Sequence, residues 1–295
     1  MEDQKLPLLA LFLKALKRLF ADEAIPLAGN IAFRTIFSVF PFLIFVTSLS
    51  GFFGSADLAR RVVEFMLGVA PEALVKPFSS EVYSILTVPR AGLMSLAVLL
   101  TIWSAMGGVD SIRVCLNRAY NVKETRPIWF LYVQNVIFVI GAAALMLVVA
   151  MLLVVMPAVT QFFGEHVPDS MKSFMTLDSW RYPLAFLLLI FGLMVAHRFL
   201  PARRFRRREV LPGILLTVVV WVVLTDVFSW YLRNFNSFAS TYASLSGIFA
   251  TMFFIYQAAL ALIFGGEMNR VLMLLREPAT AQEKPAAAPQ AQSML

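Results

Sequence analysis

The stretch Ala-Gly-Asn-Ile-Ala-Phe-Arg-Thr-Ile-Phe-Ser-Val-Phe-Pro-Phe-Leu-Ile-Phe-Val-Thr-Ser-Leu-Ser-Gly-Phe-Phe, residues 28–53, decides the fold class. An α-helix rises about 1.5 Å per residue, so about 20 apolar residues cross the hydrocarbon core of a bilayer. This run is long enough to do so as one helix. Yet Arg34 lies inside it, and Asn30, Arg34 and Ser38 recur at four-residue intervals, which places them on one helix face. An arginine at that depth costs roughly 3 kcal/mol unless it is paired, hydrated or snorkelling. That face is expected to turn to protein or water, or else Arg34 reaches back to the headgroups. Pro41, on nearly the same side, removes one helical hydrogen bond and marks an expected kink.

Composition extends the reading to the whole chain. Of 295 residues, 60% are hydrophobic and 15% charged, a balance foreign to soluble globular domains. The single cysteine, Cys115, excludes an internal disulfide and any cysteine-based zinc site. His166 and His197 are too few and too distant for a histidine metal centre, and no cofactor-binding pattern is present. The first apolar run is too long, and lacks the small-residue site, for a cleaved signal peptide.

Taken in order, the chain reads as an all-α polytopic membrane protein with six spans. Residues 1–27 form a basic amphipathic cytosolic segment, in which Leu9, Leu13, Leu16 and Phe20 are interleaved with Lys14, Lys17 and Arg18. Such a helix suits an anionic membrane surface. Pro26 is expected to break it before span one. Residues 54–90 read as short interfacial or re-entrant helices. Further spans are expected at 91–109, 133–163, 182–200, 210–230 and 242–266, giving a membrane domain over 28–276. Residues 277–295, rich in Pro, Ala and Gln, read as a disordered cytosolic tail. With the N-terminus inside, cytosolic segments hold 17 Lys and Arg and outer segments 7. The net charge of +7 is therefore mostly a positive-inside signal, with both termini cytosolic. The lipid bilayer, anionic lipids in particular, is the expected partner, and nucleic acid is not.

Polar groups collect near the cytosolic ends of three spans. Asn30 and Arg34 belong to the first. Asp110, Arg113 and Asn117 follow the second and share a face if the helix continues. Glu267 and Asn269 follow Gly265-Gly266 at the end of the last. Arg34, Arg113, Asp110 and Glu267 are expected to form a compensated network, and Arg34, Asn117 and Glu267 to floor a polar cavity, with Glu267 as the partner of Arg34 and Asp110 as the alternative. The plain alternative is that these are interfacial residues and helix caps. Asp226 falls well inside span five, as a proton- or ion-coupling residue or as a hydrogen-bonding partner for a neighbouring helix, with Tyr231, Arg233 and Asn234 nearby. The five tryptophans read as interface anchors.

Three blocks, in order, resemble the YihY/BrkB family of bacterial inner-membrane proteins. They are Ala-Phe-Arg-Thr-Ile-Phe-Ser-Val-Phe-Pro (32–41), Trp-Ser-Ala-Met-Gly-Gly-Val (103–109) with Leu-Asn-Arg-Ala-Tyr-Asn-Val-Lys-Glu-Thr-Arg-Pro (116–127), and Thr-Tyr-Ala-Ser-Leu-Ser-Gly (241–247) with Phe-Gly-Gly-Glu-Met-Asn (264–269). The resemblance covers roughly residues 20 to 275. It implies a six-helix inner-membrane protein for which transport is the activity usually suspected. Pro41, Trp103, Asn117, Arg126, Tyr242, Gly247, Glu267 and Asn269 match the motif blocks. Ala243 stands where the family often has glycine, and Arg34 where an aromatic is common.

The family has also carried a ribonuclease label. Acid–base cleavage of RNA needs positioned histidine, lysine, carboxylate or metal groups in an accessible site, and no such constellation is visible. The chain therefore reads as non-enzymatic. The leading reading is a protein that moves or flips a lipid, amphiphile or small solute through a polar cavity. A non-transporting envelope scaffold is the alternative, and a membrane-bound enzyme comes third.

Overall fold

The computed structural model describes residues 7–53, 60, 63–64, 91–155, 178–234 and 239–276. Among these there are seven α-helices and no strand. They are α1 (Leu8–Ala21), α2 (Ala24–Phe53), α3 (Ala91–Ala119), α4 (Ile128–Ala150, running into a π turn at Met151–Val155), α5 (Asp178–Phe199), α6 (Arg207–Asn234) and α7 (Ala239–Arg276). All but α1 contain a stretch long and apolar enough to cross a membrane, six spans in total. The expected interfacial helices of 54–90, apart from residues 60 and 63–64, lie outside the described residues, as do Pro157, His166 and the tail.

The six spans close into a ring. Going round, α4 packs on α3, α3 on α2, α2 on α7, α7 on α6, α6 on α5, and α5 returns to α4; α3 also touches α7 across the interior. One apolar core joins α1, α2, α3 and α7, and includes Ala15, Ala28, Ile31, Cys115 and Ile263. A second joins α3, α5, α6 and α7 around Leu116, Tyr120, Leu200, Ile214 and Val218. On α4 the outer positions Trp129, Val133, Ile137 and Met146 are exposed, as expected of a wall facing lipid.

Several boundaries differ from the sequence reading, each for a physical reason. The first helix ends at Asp22–Glu23, where Glu23 adopts φ 57°, and not at Pro26. Pro26 instead sits in the first turn of α2, where a missing N–H costs nothing. The second span does not stop at Gly107-Gly108. It runs to Ala119 and closes with a left-handed Asn121 (φ 53°), whose N–H bonds the Arg118 carbonyl at 2.9 Å. The next N–H, of Val122, bonds the Asn117 carbonyl at 2.8 Å, completing the paired capping bonds of a Schellman turn. Likewise α7 passes through Gly265-Gly266 and ends at Arg276. Those glycines permit close approach: a Cβ on Gly265 would run into Thr217 Oγ1 and the Gly213 carbonyl of α6. Trp221 is not an interface anchor; its Nε1 donates to the Ala258 carbonyl at 2.9 Å, tying α6 to α7 in mid-span.

The amphipathic helix α1 packs along the end of α7. Leu11, Ala15 and Leu19 are buried, and Phe12 meets Phe264 edge-on at 5.1 Å. Leu9, Leu13 and Phe20 remain exposed on another face.

Candidate functional site

A cavity of about 510 Å³ opens between α2, α3 and α4. Its polar wall holds Asn30 and Arg34 from α2, Asp110 and Arg113 from α3, and Asn135 from α4. Phe33, Phe37, Trp103 and Tyr132 provide aromatic surface beside them. Four of these five polar groups were expected together from spacing alone; Asn135, in the hydrophobic run of α4, was not.

Within the cavity the charges divide unequally. Arg113 is buried and reaches two carboxylates, Asp110 through a very short contact and Glu124 at 2.8 Å. Arg34 is exposed, and the partner it has is neutral: its Nε donates to Asn30 Oδ1 at 3.2 Å, one helical turn away. Its guanidinium lies over Gly107, where an added Cβ would come within 2.5 Å of Nη1. The glycine thus leaves room for the cation. Asn135 is buried and donates from Nδ2 to Asp110 Oδ1 at 3.4 Å. Because a carboxylate only accepts, the amide must present its nitrogen to Asp110, and its Oδ1 is left buried without a partner.

Glu267 and Asn269 do not join this wall, and the expected Arg34–Glu267 pair is not formed. Glu267 is fully buried and accepts from Arg18 Nε of α1 at 2.9 Å. The sequence reading missed this because α1 was taken to lie on the membrane and not on α7. Asn269 braces the neighbouring helix: its Oδ1 accepts from the Gly213 N–H at 2.6 Å, and its Nδ2 donates to the Val210 carbonyl at 2.9 Å. These bonds flank Pro212, whose ring removes a helical donor in the first turns of α6. The same Nδ2 lies 3.1 Å from the Tyr120 hydroxyl, which meets His197 Nδ1 at 2.7 Å in a fully enclosed contact. Burial pushes the Tyr120 phenol above its usual range.

Asn117 does a different job from the one expected. It faces the loops, donating from Nδ2 to Glu124 at 3.0 Å and accepting from the Ala202 N–H at 2.8 Å. Arg126 adds a bond to the Leu200 carbonyl at 2.8 Å and pairs with Glu124 at 2.8 Å. Together they clasp the α3–α4 loop to the α5–α6 loop. Hydrogen bonds from Arg126, the largest influence, hold the Glu124 carboxyl down at about 2.

Asp226 lies apart from both groups, exposed on α6. The side chains of Tyr231, Arg233 and Asn234, like those of Tyr242 and Gly247, are outside the described residues. Pro41 is buried within α2. Among the described residues, no three His, Cys, Asp or Glu side chains converge in a way that could hold a metal ion.

Comparison with known proteins agrees with the resemblance noted above. The ribonuclease-like protein YfkH of Bacillus subtilis is 29% identical over 267 residues, covering 88% of this chain and 94% of that protein. A UPF0761 membrane protein of Alteromonas mediterranea is 22% identical, covering 86% of this chain and 84% of its own. Another from Tolumonas auensis is 22% identical over 87% and 83%. No solved structure matches. The family model described as Virulence factor BrkB matches residues 15–291, and with six spans in a closed ring the chain belongs to the BrkB family of membrane proteins.

Proposed function

We propose that this protein sits in the bacterial inner membrane with both termini in the cytosol, and that it moves an amphiphile, a lipid or a small solute, through the cavity between α2, α3 and α4. The observation that carries the reading is the excess of cationic over anionic groups in that cavity. Arg34 has no acid partner among the described residues, and beside it lies aromatic surface suited to an apolar tail. An anionic headgroup has a reason to enter such a space. The outer wall, α4, is the least buried span, so a path from the bilayer into the cavity crosses little protein packing. The ends carrying α1, the two clasped loops and Glu267 hold most of the basic residues, which supports a cytosolic assignment for them. We read the chain as non-enzymatic; the Tyr120–His197 pair, being buried, offers RNA no surface.

The test is reconstitution. Purified protein in vesicles should move fluorescent anionic or zwitterionic lipids, or entrapped small anions, across the bilayer faster than protein-free vesicles do. Arg34→Gln should slow that movement by about tenfold, the weight of one lost charged hydrogen bond. Vesicles in which no probe moves above background would refute transport and leave the scaffold reading.

A further inference from the structure

We infer that the cavity between α2, α3 and α4 binds a headgroup carrying a phosphate-type anion linked to a primary amine, of the phosphoethanolamine kind. The inference rests on the reading of this cavity as a ligand site and names the ligand's chemistry. Three functional groups in its wall are left incompletely used by the protein. Among the described residues Arg34 bonds only through its Nε, to a neutral amide, and its terminal guanidinium nitrogens can make two parallel bonds to a phosphate. Asp110 spends Oδ1 on both Arg113 and Asn135, and its Oδ2 has no partner among the described residues. Asn135 Oδ1 is a second acceptor without a partner, on the residue hydrogen-bonded to Asp110.

Among the described residues, a cation with open donors and two neighbouring acceptors without partners describe the complement of a zwitterion. A primary ammonium brings three N–H donors, enough to satisfy Asp110 Oδ2 and Asn135 Oδ1 together. A trimethylated ammonium brings none, and a headgroup with an anion alone leaves both acceptors unmet and places its charge near the Asp110 carboxylate. A trimethylammonium has one attraction of its own here, the faces of Trp103 and Tyr132, and the experiment sets that against the hydrogen bonds. The position of the cation is itself built in, because only a glycine at 107 lets the Arg34 guanidinium lie where it does.

The test is equilibrium binding to the full-length protein in a non-ionic detergent. Tryptophan emission, to which the cavity residue Trp103 contributes, serves as the readout, and native mass spectrometry as the check. The probes are dihexanoyl phosphoethanolamine, dihexanoyl phosphocholine, dihexanoyl phosphatidic acid and free phosphoethanolamine. The amine lipid should bind about tenfold more tightly than the choline lipid and the phosphatidic acid. Asp110→Asn should bring the amine lipid to the choline level while leaving phosphatidic acid unweakened. Gly107→Ala, whose Cβ displaces only the flexible end of Arg34, should weaken all three lipids and leave the melting temperature near wild type. Free phosphoethanolamine matching the lipid would support the same chemistry with a soluble source; binding only with tails attached would support a membrane lipid. Equal or tighter binding of the choline lipid or of phosphatidic acid overturns the inference while the cavity stands as a ligand site. Binding of none of the probes overturns both.

Discussion

Glu267 has no exposed surface, and the cation that meets it comes from a helix that does not cross the membrane. Removing one partner from a buried pair strands the other charge, which is far more costly than removing both. Arg18→Ala should therefore lower stability by about 2 kcal/mol, less than the full buried-pair cost because Arg18 keeps contact with water. Adding Glu267→Gln should restore part of the loss, a recovery visible as a rise in melting temperature of the double variant over the single. Arg34→Gln should leave the melting temperature nearly unchanged, since Arg34 is exposed and bonded only within its own helix. The sequence reading expected Glu267 to need a cationic partner at that depth. It named Arg34 as that partner, because the packing of α1 on α7 that brings Arg18 there leaves no local pattern in the chain. Asn135 was illegible for another reason: one amide in a long apolar run carries no periodicity, and its importance comes from the cavity it borders.

The crossing of α6 and α7 depends on what is missing from side chains. A Cβ on Gly213 would run into the Gly265 carbonyl, which is helix backbone, and into the Asn269 amide, which the hydrogen bonds described above hold in place. Gly213→Ala should cost about 2 kcal/mol or more, with the loss read from thermal or denaturant unfolding in detergent. Gly108→Ala, at a position with open space, should be neutral or stabilising by up to about 1 kcal/mol, because alanine favours helix. The clasp between the α3–α4 and α5–α6 loops has its own signature. Glu124 titrates lower when folded, about 2, than the ordinary 4.5, so its contribution is complete above 4.5 and is lost as pH falls toward about 2. The melting temperature of wild type should exceed that of Glu124→Gln near neutral pH, and the two should converge across that window. At this scale the apolar runs made all six spans visible. Their ends were less so, since glycine pairs that read as stops turned out to serve helix contact.

Six spans in a ring, each next to its neighbours in the chain except where α2 meets α7, make an up-and-down bundle closed by its first and last spans. Successive spans of one chain alternate in direction and tend to pack side by side, so span number could be anticipated, whereas the seam between α2 and α7 could not. Reporter fusions at residues 120, 205 and 285 should all read cytosolic, and fusions at 60, 172 and 236 should read external; adjacent sites on one side would break the ring. Cys115 lies on α3 with 1% of its surface exposed, its sulfur 3.9 Å from the Leu27 carbonyl of α2. A thiol reagent can reach it only when the core that joins α1, α2, α3 and α7 opens. The native chain thus carries its own clock: the rate at which Cys115 is alkylated, slow at rest, counts the openings of the core that binds α1, α2, α3 and α7 together.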